Sequence, residues 1–489
     1  MPPLASATFE IAKREFMENV LSRRFLLALV LSSLILVTSM AALSAAYNED
    51  YDAYRAQQDT YARQDSSFSR VLGEVHRILA RPNVLSIFVG GPGDEYRSDM
   101  ASGGGGGPVF GSQFQPQGGS ASPTNKRFDP LDLGFVAVVV MTFLVVMFSY
   151  DAISGEKERG TLKLMLANPI PKDAVLLGKY LGGMASVLLP FALSVVLGLA
   201  VLAFMGVTLA AGAWVRLGVI LALLVLLLSA FYLIGLLVSS LSRRSATALL
   251  VMTLVWLVLV FGVGNAAAVV AKTTTPAPTS AELAEQYRSI DDRAFTVWED
   301  LQAEMQPLMQ RSFTGQPLTA DEQARLTELQ KQSQAAFEQA EKEREAVRKD
   351  AMRRLDSQLF RAESFAAISP AEAFRTLATS IARSDYWSFR SAIDAAETYQ
   401  EEVDRLRAEW LSEQVGAGSA RATIMIGGPG GVRSFGEEGF EPPSFTYATP
   451  GLPEQVGSAA GVRDLLVLLA YNLFGFIGAY VAFLRYDVR

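Results

Sequence analysis

A block of four charged residues that alternate in sign separates two strongly apolar segments of this chain. It lies between two glycines and is followed by a threonine, in the order Gly155, Glu156, Lys157, Glu158, Arg159, Gly160 and Thr161. The glycines are suited to turns on either side of the charged run. Because the run separates two apolar segments long enough to cross a membrane, it must lie outside the bilayer.

The composition excludes several other kinds of chemistry. The 489 residues include no cysteine and a single histidine, His76, which excludes disulfides, cysteine–zinc sites, iron–sulfur clusters and histidine metal clusters. A metal site made of Asp and Glu alone stays open but has no motif behind it. The net charge of −7 gives no support for nucleic-acid binding. No Gly-x-x-x-x-Gly-Lys-Ser/Thr occurs, so we predict that the chain is not an enzyme and cannot hydrolyse ATP alone.

The residues after the charged run predict a short amphipathic helix. Thr161 is suited to cap it, and the helix would carry the apolar residues Leu162, Leu164, Met165 and Leu166. Pro169 and Pro171 would end it. The loop 151–173 is thus predicted to hold one short helix between two turns.

Long apolar runs predict that the chain crosses a membrane six times. Half of the residues are hydrophobic and the mean hydropathy is +0.24. The predicted spans are 25–46, 131–150, 174–205, 216–241, 247–271 and 462–484, with an interfacial elbow helix at 1–24 and a short tail at 485–489. Lys and Arg near one end of all six spans place both termini and the loop 151–173 in the cytoplasm. A cleaved signal peptide is the competing interpretation of the first span, but its apolar core is long and we expect it to be retained.

Two segments are assigned to the outer side. Residues 47–130 predict a helix over 47–79, a strand-like apolar run over 84–89 and a flexible Gly-rich stretch over 98–125. Residues 272–461 predict a long hairpin of helices, 281–313 and about 321–361, followed by helices at 370–382 and 385–414. The predicted fold class is an all-α polytopic membrane protein with a mostly helical extracytoplasmic domain and a small β element.

An apolar triplet followed by Gly-Gly-Pro-Gly occurs twice in the chain, at 87–93 and at 424–430. Both copies fall in the outer segments. We hypothesise that they form short paired strands that join the two segments, through Ile87, Val89, Ile424 and Ile426. A chance resemblance between Gly-rich turns is the alternative.

The loop 151–173 resembles the first cytoplasmic loop of the permease subunits of type-2 ABC transporters. That loop reads, in general form, Glu-x-Glu-x-Gly-Thr, then an apolar helical stretch, a proline-containing turn and a lysine in the next helix. The matching residues here are Glu156, Glu158, Gly160, Thr161, Leu166, Pro169, Pro171 and Lys179. An ordinary solvated loop is the alternative. The start at Ser369-Pro370-Ala371, with a Tyr/Trp-rich helix downstream, resembles more loosely a subgroup of these permeases with a large ectodomain.

The resemblance implies that the loop is a coupling helix that enters a cleft of a separate ATPase subunit. The residues expected to make that contact or to shape the loop are Gly155, Glu156, Lys157, Glu158, Arg159, Gly160, Thr161, Leu162, Leu166, Pro169 and Pro171. ATP and Mg would be bound by the partner, so no cofactor is expected in this chain. The permease would pair with a second copy or a close paralogue, surrounded by lipid in the bacterial cytoplasmic (inner) membrane.

Three functions stay open at this point. The first is export, for which the lack of charged residues deep in the predicted spans favours an apolar or amphipathic cargo. The second is mechanotransmission, in which ATP-driven movement acts through the large ectodomain on an extracytoplasmic partner and no cargo crosses. The third is a membrane scaffold or receptor outside the ABC class. The sequence does not name a substrate.

Overall fold

The computed structural model describes residues 4–63, 67–94, 97, 132–166, 171–313, 318–416, 423–425, 433–435 and 440–485. Within these residues, six helices are long and apolar enough to cross a membrane. The predicted fold class, an all-α multi-pass membrane protein, is therefore confirmed. The Gly-rich stretch 98–125 lies outside the described residues.

We number the four longest helices before the loop of interest. They are α1 (Leu4–Val20), α2 (Arg23–Arg63), α3 (Ser67–Leu79) and α4 (133–149), which contains a π-helical stretch at Val136–Met141. The first of them is the predicted elbow helix. It packs along the third span so closely that a Cβ at Gly182 would lie 2.4 Å from the carbonyl oxygen of Ala12.

The loop contains two short helices, and the remaining helices of the chain come after it. They are α5 (Ser154–Arg159), α6 (Thr161–Leu166), α7 (Lys172–Phe204), α8 (Ala211–Leu241) and α9 (Ser245–Thr274, with a π-helical stretch at Val258–Gly262). Then come α10 (Ser280–Phe313), α11 (Ala320–Ala366), α12 (Pro370–Ala382), α13 (Tyr386–Gly416), α14 (Leu452–Gly457) and α15 (Ala459–Leu484).

The six long apolar helices are α2, α4, α7, α8, α9 and α15. The helices α4 and α8 are largely enclosed by their neighbours, whereas α2, α9 and α15 leave most of their apolar surface exposed. An exposed apolar surface of this kind is expected where a helix meets lipid or another subunit. We call the end of the bundle with α5 and α6 the near end, and the end where α4 begins at Leu133 the far end.

The helix that holds the first span is longer than the sequence predicted. It covers 41 residues and continues to Arg63, because no Gly or Pro interrupts the polar residues after Ala46. The predicted continuous helix over 47–79 is wrong in one respect, since α2 ends at Arg63 and α3 is a separate helix that runs antiparallel to it. The rings of Tyr54 and His76 stack at 5.3 Å in the resulting hairpin.

The predicted long hairpin of helices is present as α10 and α11. The two helices run antiparallel, as ion pairs between Arg325 and Glu304 at 2.8 Å and between Arg293 and Glu343 at 2.7 Å show. With 47 residues, α11 is about 70 Å long. Residues 266–364, which contain the hairpin, form a compact unit of their own; the rest of the described chain forms the other unit.

The predicted strand pairing between the two Gly-Gly-Pro-Gly copies is wrong. Residues Val84–Ile87 form a 3-10 helix, capped by Asn83, whose side-chain oxygen accepts a hydrogen bond from the Leu85 amide at 3.1 Å. Ile87 and Val89 are buried without any strand partner in the described residues. Strand β1 (Thr423–Met425) pairs instead with β2 (Arg433–Phe435), with Ile424 opposite Ser434; Ile426 lies outside the described residues.

The first Gly-Gly-Pro-Gly copy packs on a different element of the second segment, the turn between α12 and α13. The Gly93 amide donates to the Ser384 carbonyl at 2.9 Å, and the Ser384 hydroxyl donates to the Val89 carbonyl at 2.7 Å. A Cβ at Gly91 would lie 2.4 Å from the Ser384 carbonyl oxygen, so a residue without a side chain is needed there. The two segments do meet, but at Ser384 rather than at Ile424.

Candidate functional site

The charged run 156–159 is helical, and this differs from the prediction of a single helix beginning at Thr161. Two short helices, α5 and α6, meet at Gly160, whose φ of 73° is left-handed. Gly160 ends α5 because glycine adopts this conformation without steric cost, and its amide donates to the Lys157 carbonyl. Thr161 donates its hydroxyl back to the Glu156 carbonyl at 3.4 Å instead of capping α6.

Glu156 faces inward and takes part in a cluster of three charges. The ammonium of Lys179, in α7, donates to Glu156 Oε1 at 2.8 Å and to Glu15 Oε2, in α1, at 3.0 Å. The Lys179 side chain is only 3% exposed. Burial raises the pKa of Glu15, and the charge of Lys179 opposes that rise. The cluster joins the elbow helix, the loop helix α5 and the third span in one contact.

Lys157 closes the end of α8. Its ammonium donates to the carbonyl of Ser240 and, at 3.3 Å, to that of Ser242. The last carbonyls of a helix have no partner within the helix, so a lysine from another element stabilises them. The fourth span therefore ends on the loop helix.

Glu158 caps the N-terminal end of the next span, at the start of α9. Its Oε2 accepts hydrogen bonds from the Ser245 amide at 3.1 Å and from the Ser245 hydroxyl at 2.8 Å. A carboxylate at a helix N-terminus satisfies free amides and interacts favourably with the helix dipole. The two neighbours in sequence, Lys157 and Glu158, thus hold the ends of two successive spans.

A serine of the fourth span anchors the start of α5. The hydroxyl oxygen of Ser239 accepts from the amides of Ile153 at 3.0 Å and Ser154 at 2.9 Å, and its hydroxyl is 3.2 Å from that of Ser154. All of this is buried. Sequence reasoning did not identify Ser239 or Glu15, because nothing in their local sequence distinguishes them from other helix residues.

The predicted site residues fall into an inward group and an outward group. Gly155, Glu156, Lys157 and Leu162 face the protein, and Leu162 is completely buried. Exposed side chains form a surface that we call the loop face: Glu158, Arg159, Thr161, Lys163 and Leu164. Leu164, at 72% exposure, is its most prominent apolar group. Leu166 ends α6, Pro171 precedes α7 and Pro169 lies outside the described residues.

These features define a class of membrane protein. Six long apolar helices, with two short helices between the second and the third that tie several helix ends together, define a multi-pass membrane protein. The chain belongs to the family of ABC-2 family transporter proteins, whose family model matches residues 9–488.

Two curated relatives match a short part of the chain. The probable ABC transporter permease protein NosY of Pseudomonas aeruginosa is 45% identical over 47 residues, which is 10% of this chain and 17% of that protein. The protein of the same name from Stutzerimonas stutzeri is 42% identical over 50 residues, 10% of this chain and 18% of that protein. The match thus spans less than a fifth of the length of each relative.

Proposed function

We propose that the chain is the membrane-spanning permease subunit of an ABC transporter and that the loop face receives the movement of a separate ATPase subunit. The observation that carries the proposal is that α5 and α6 have two sets of side chains with different contacts. The inward side chains Glu156 and Lys157 hold α1, α7 and α8, the exposed Glu158 holds the start of α9, and the remaining outward side chains present charge and one exposed leucine. A force applied to the loop face would reach four helices at once.

The partners and the location follow from the same proposal. The ATPase subunit would bind ATP and Mg on the cytoplasmic side, which places the near end and both termini in the cytoplasm of a bacterium, at its inner membrane. ATP-driven closure of two ATPase subunits would move two permeases, so a second copy or a close paralogue is needed. The segment between α9 and α15 would then lie mostly outside.

A reconstitution experiment tests the coupling role. The permease is co-expressed with the ATPase that co-purifies with it, and permease-stimulated ATP hydrolysis is measured for Arg159→Glu and Leu164→Asp. Both changes alter exposed side chains of the loop face, so we expect the stimulation to fall several-fold while the amount of folded permease stays the same. Lys331→Glu, an exposed charge reversal on α11, is the control and should have no effect.

Export and mechanotransmission both remain consistent with this role. Export of an apolar or amphipathic substrate agrees with the apolar character of the six spans. Mechanotransmission is favoured by the hairpin of α10 and α11, a compact unit of its own in which α11, with 47 residues, is longer than any of the six apolar helices. Two assays with the permease and its ATPase would separate the two functions. One measures transport of a substrate, and the other measures an effect on an extracytoplasmic partner.

A further inference from the structure

Two neighbouring spans change from α-helical to π-helical winding at the same level. In α4 the π-helical stretch is Val136–Met141, and in α9 it is Val258–Gly262. The indole nitrogen of Trp256 donates to the hydroxyl oxygen of Thr142 at 2.8 Å, and this buried hydrogen bond joins the two helices. Each π-helical stretch lies directly on the far-end side of that bond.

The two π-helical stretches are supported by hydroxyl groups in the same way. The Val138 carbonyl of α4 accepts a hydrogen bond from the Thr142 hydroxyl, and the Leu259 carbonyl of α9 accepts one from the Ser369 hydroxyl. Such hydroxyls satisfy backbone groups that irregular winding frees inside a membrane. π-helical turns are rare, are frequent at functional sites and are a known cause of helix bending. Two of them side by side therefore indicate a function.

The parts of α4 and α9 on the near-end side of these stretches are both fixed to the loop helix α5. We call these parts, Thr142–Ser149 and Ser245–Leu257, the near segments. The first leads directly into α5, and the second begins where Glu158 of α5 accepts two hydrogen bonds from Ser245. Because the indole–hydroxyl bond joins their other ends, the near segments and α5 form a closed frame.

The far-end sides of the two π-helical stretches are fixed to other parts of the protein. Asp132 caps the start of α4, where its Oδ1 accepts from the Phe135 amide at 2.7 Å, and its Oδ2 accepts from the Gly90 amide in the segment before α4. In α9, the Leu259 carbonyl is held by Ser369, which precedes α12. The frame on the near-end side is thus the part that is free to move against these contacts.

We propose that the paired π-helical stretches are a hinge, about which the two near segments and α5 swing as one body while the far parts of α4 and α9 stay in place. The proposal rests on the coupling role of the loop face, since the ATPase subunit would supply the force. Both helices need a bend, because near segments that are joined at both ends can only move together. The hinge limits the movement to the near-end part of the second and fifth spans.

Removal of a single residue tests the hinge. A π-helical turn contains one residue more than an α-helical turn, so deletion of Val258, which is 47% exposed, makes α9 α-helical and keeps the register on both sides. We expect an unchanged thermal midpoint and an unchanged amount of co-purifying ATPase, with permease-stimulated ATP hydrolysis reduced several-fold. Deletion of Val251, in the α-helical part, is the matched control. It rotates the helix by about 100° and should lower the midpoint.

The loop-face variant Arg159→Glu, measured beside the deletion of Val258, separates the hinge from the coupling role. Stimulation that is lost in Arg159→Glu but kept in the deletion would overturn the hinge alone. Full stimulation in both would overturn the coupling role and the hinge with it.

Spin-label distances test the hinge in a chain that keeps both π-helical stretches. The chain has no cysteine, so labels can be placed at Val251→Cys with Phe143→Cys, one on each near segment, or at Val251→Cys with Asn265→Cys, beyond the π-helical stretch. All three positions are exposed. Samples with one label per chain correct for distances between copies.

We expect the distance between labels 251 and 265 to change by several ångströms when the complex with the ATPase is trapped with nucleotide and vanadate. The distance between labels 251 and 143 should stay the same, because both lie in the moving frame. A constant first distance would show that α9 does not bend, and a change in the second would show that the near segments do not move as one body. Either result overturns the proposal.

Discussion

At the scale of single residues, Glu156 and Glu158 have opposite surroundings although they lie two positions apart in the same short helix. Glu156 is held by the buried Lys179, whereas Glu158 is exposed and accepts hydrogen bonds from Ser245 at the start of α9. The sequence indicated the same contact role for both. The difference comes from Lys179, which is 23 residues away along the chain, a separation that no local pattern reveals.

Charge reversal should therefore affect the two glutamates differently. Glu156→Lys places a second cation beside Lys179 in a poorly solvated cluster, and the loss of a buried ion pair costs about 3 kcal/mol of unfolding free energy. Glu158→Lys should leave the thermal midpoint of the purified chain nearly unchanged and reduce the permease-stimulated ATPase. Thermal unfolding of the two variants side by side is the measurement. Equal midpoints would show that the cluster contributes little to stability.

His76 is the one histidine of the chain and gives a pH dependence with a definite sign. Burial lowers its pKa below the usual 6.5 in the folded hairpin of α2 and α3. The hydrogen-bond contact with the Tyr54 carbonyl raises the pKa, but its effect is smaller. Well above pH 6.5 the ring is neutral in both the folded and the unfolded state. Below it the unfolded chain binds a proton before the folded chain does, so stability falls as the pH drops.

The thermal midpoint of the wild type should thus fall more between pH 7.5 and pH 5.5 than that of His76→Gln. The comparison with the variant is needed because other groups also titrate in this range. Burial raises the pKa of Asp94 to about 7, and this change acts in the opposite direction. A wild type and a variant with the same pH response would rule out a role for His76.

At the scale of elements, the attachment of α5 to α8 depends on Ser239. Its hydroxyl oxygen is the acceptor for two amides at the start of α5. Ser239→Ala would leave both amides buried without that acceptor, at a cost of about 1–3 kcal/mol, and would loosen α5. We expect a lower thermal midpoint together with weaker ATPase stimulation.

The neighbouring serine is a matched control. The Ser240 hydroxyl donates to the Leu237 carbonyl of its own helix at 2.7 Å and contacts α5 only through its backbone carbonyl. Ser240→Ala should change neither quantity by a comparable amount. If both variants retain full stimulation, the anchor does not transmit movement.

The elements themselves were largely predictable, and their partners were not. Apolar runs and capping residues located the six long apolar helices and the two hairpin helices, because membrane burial and helix ends leave strong local signals, although α2 continues to Arg63, well beyond residue 46. The 3-10 turn at Val84–Ile87 was mistaken for a strand, since a short apolar run has no periodicity that separates the two. The turn at Ser384 is the actual partner of that run. It lies almost 300 residues away along the chain, and no sequence motif identifies it as the partner.

At the scale of the whole molecule, the compact unit formed by residues 266–364 implies that its hairpin can be shortened without disturbing the spans. Asp291 pairs with Arg344 across the hairpin, so residues 294–341 can be replaced by a short Gly-Ser loop in register. A milder variant replaces residues 307–322, just beyond the pair of Glu304 and Arg325. Both should yield folded permease with an unchanged amount of co-purifying ATPase.

The two shortened chains also separate the candidate functions. If the hairpin transmits movement to an extracytoplasmic partner, the larger deletion should abolish the effect on that partner while stimulated ATPase activity persists, because α5, α6 and the spans that they hold are untouched. If the chain exports a cargo, transport should survive both deletions. A loss of stimulated ATPase activity in the milder variant would mean that the hairpin and the spans are energetically coupled, and would contradict the independence expected from a separate compact unit.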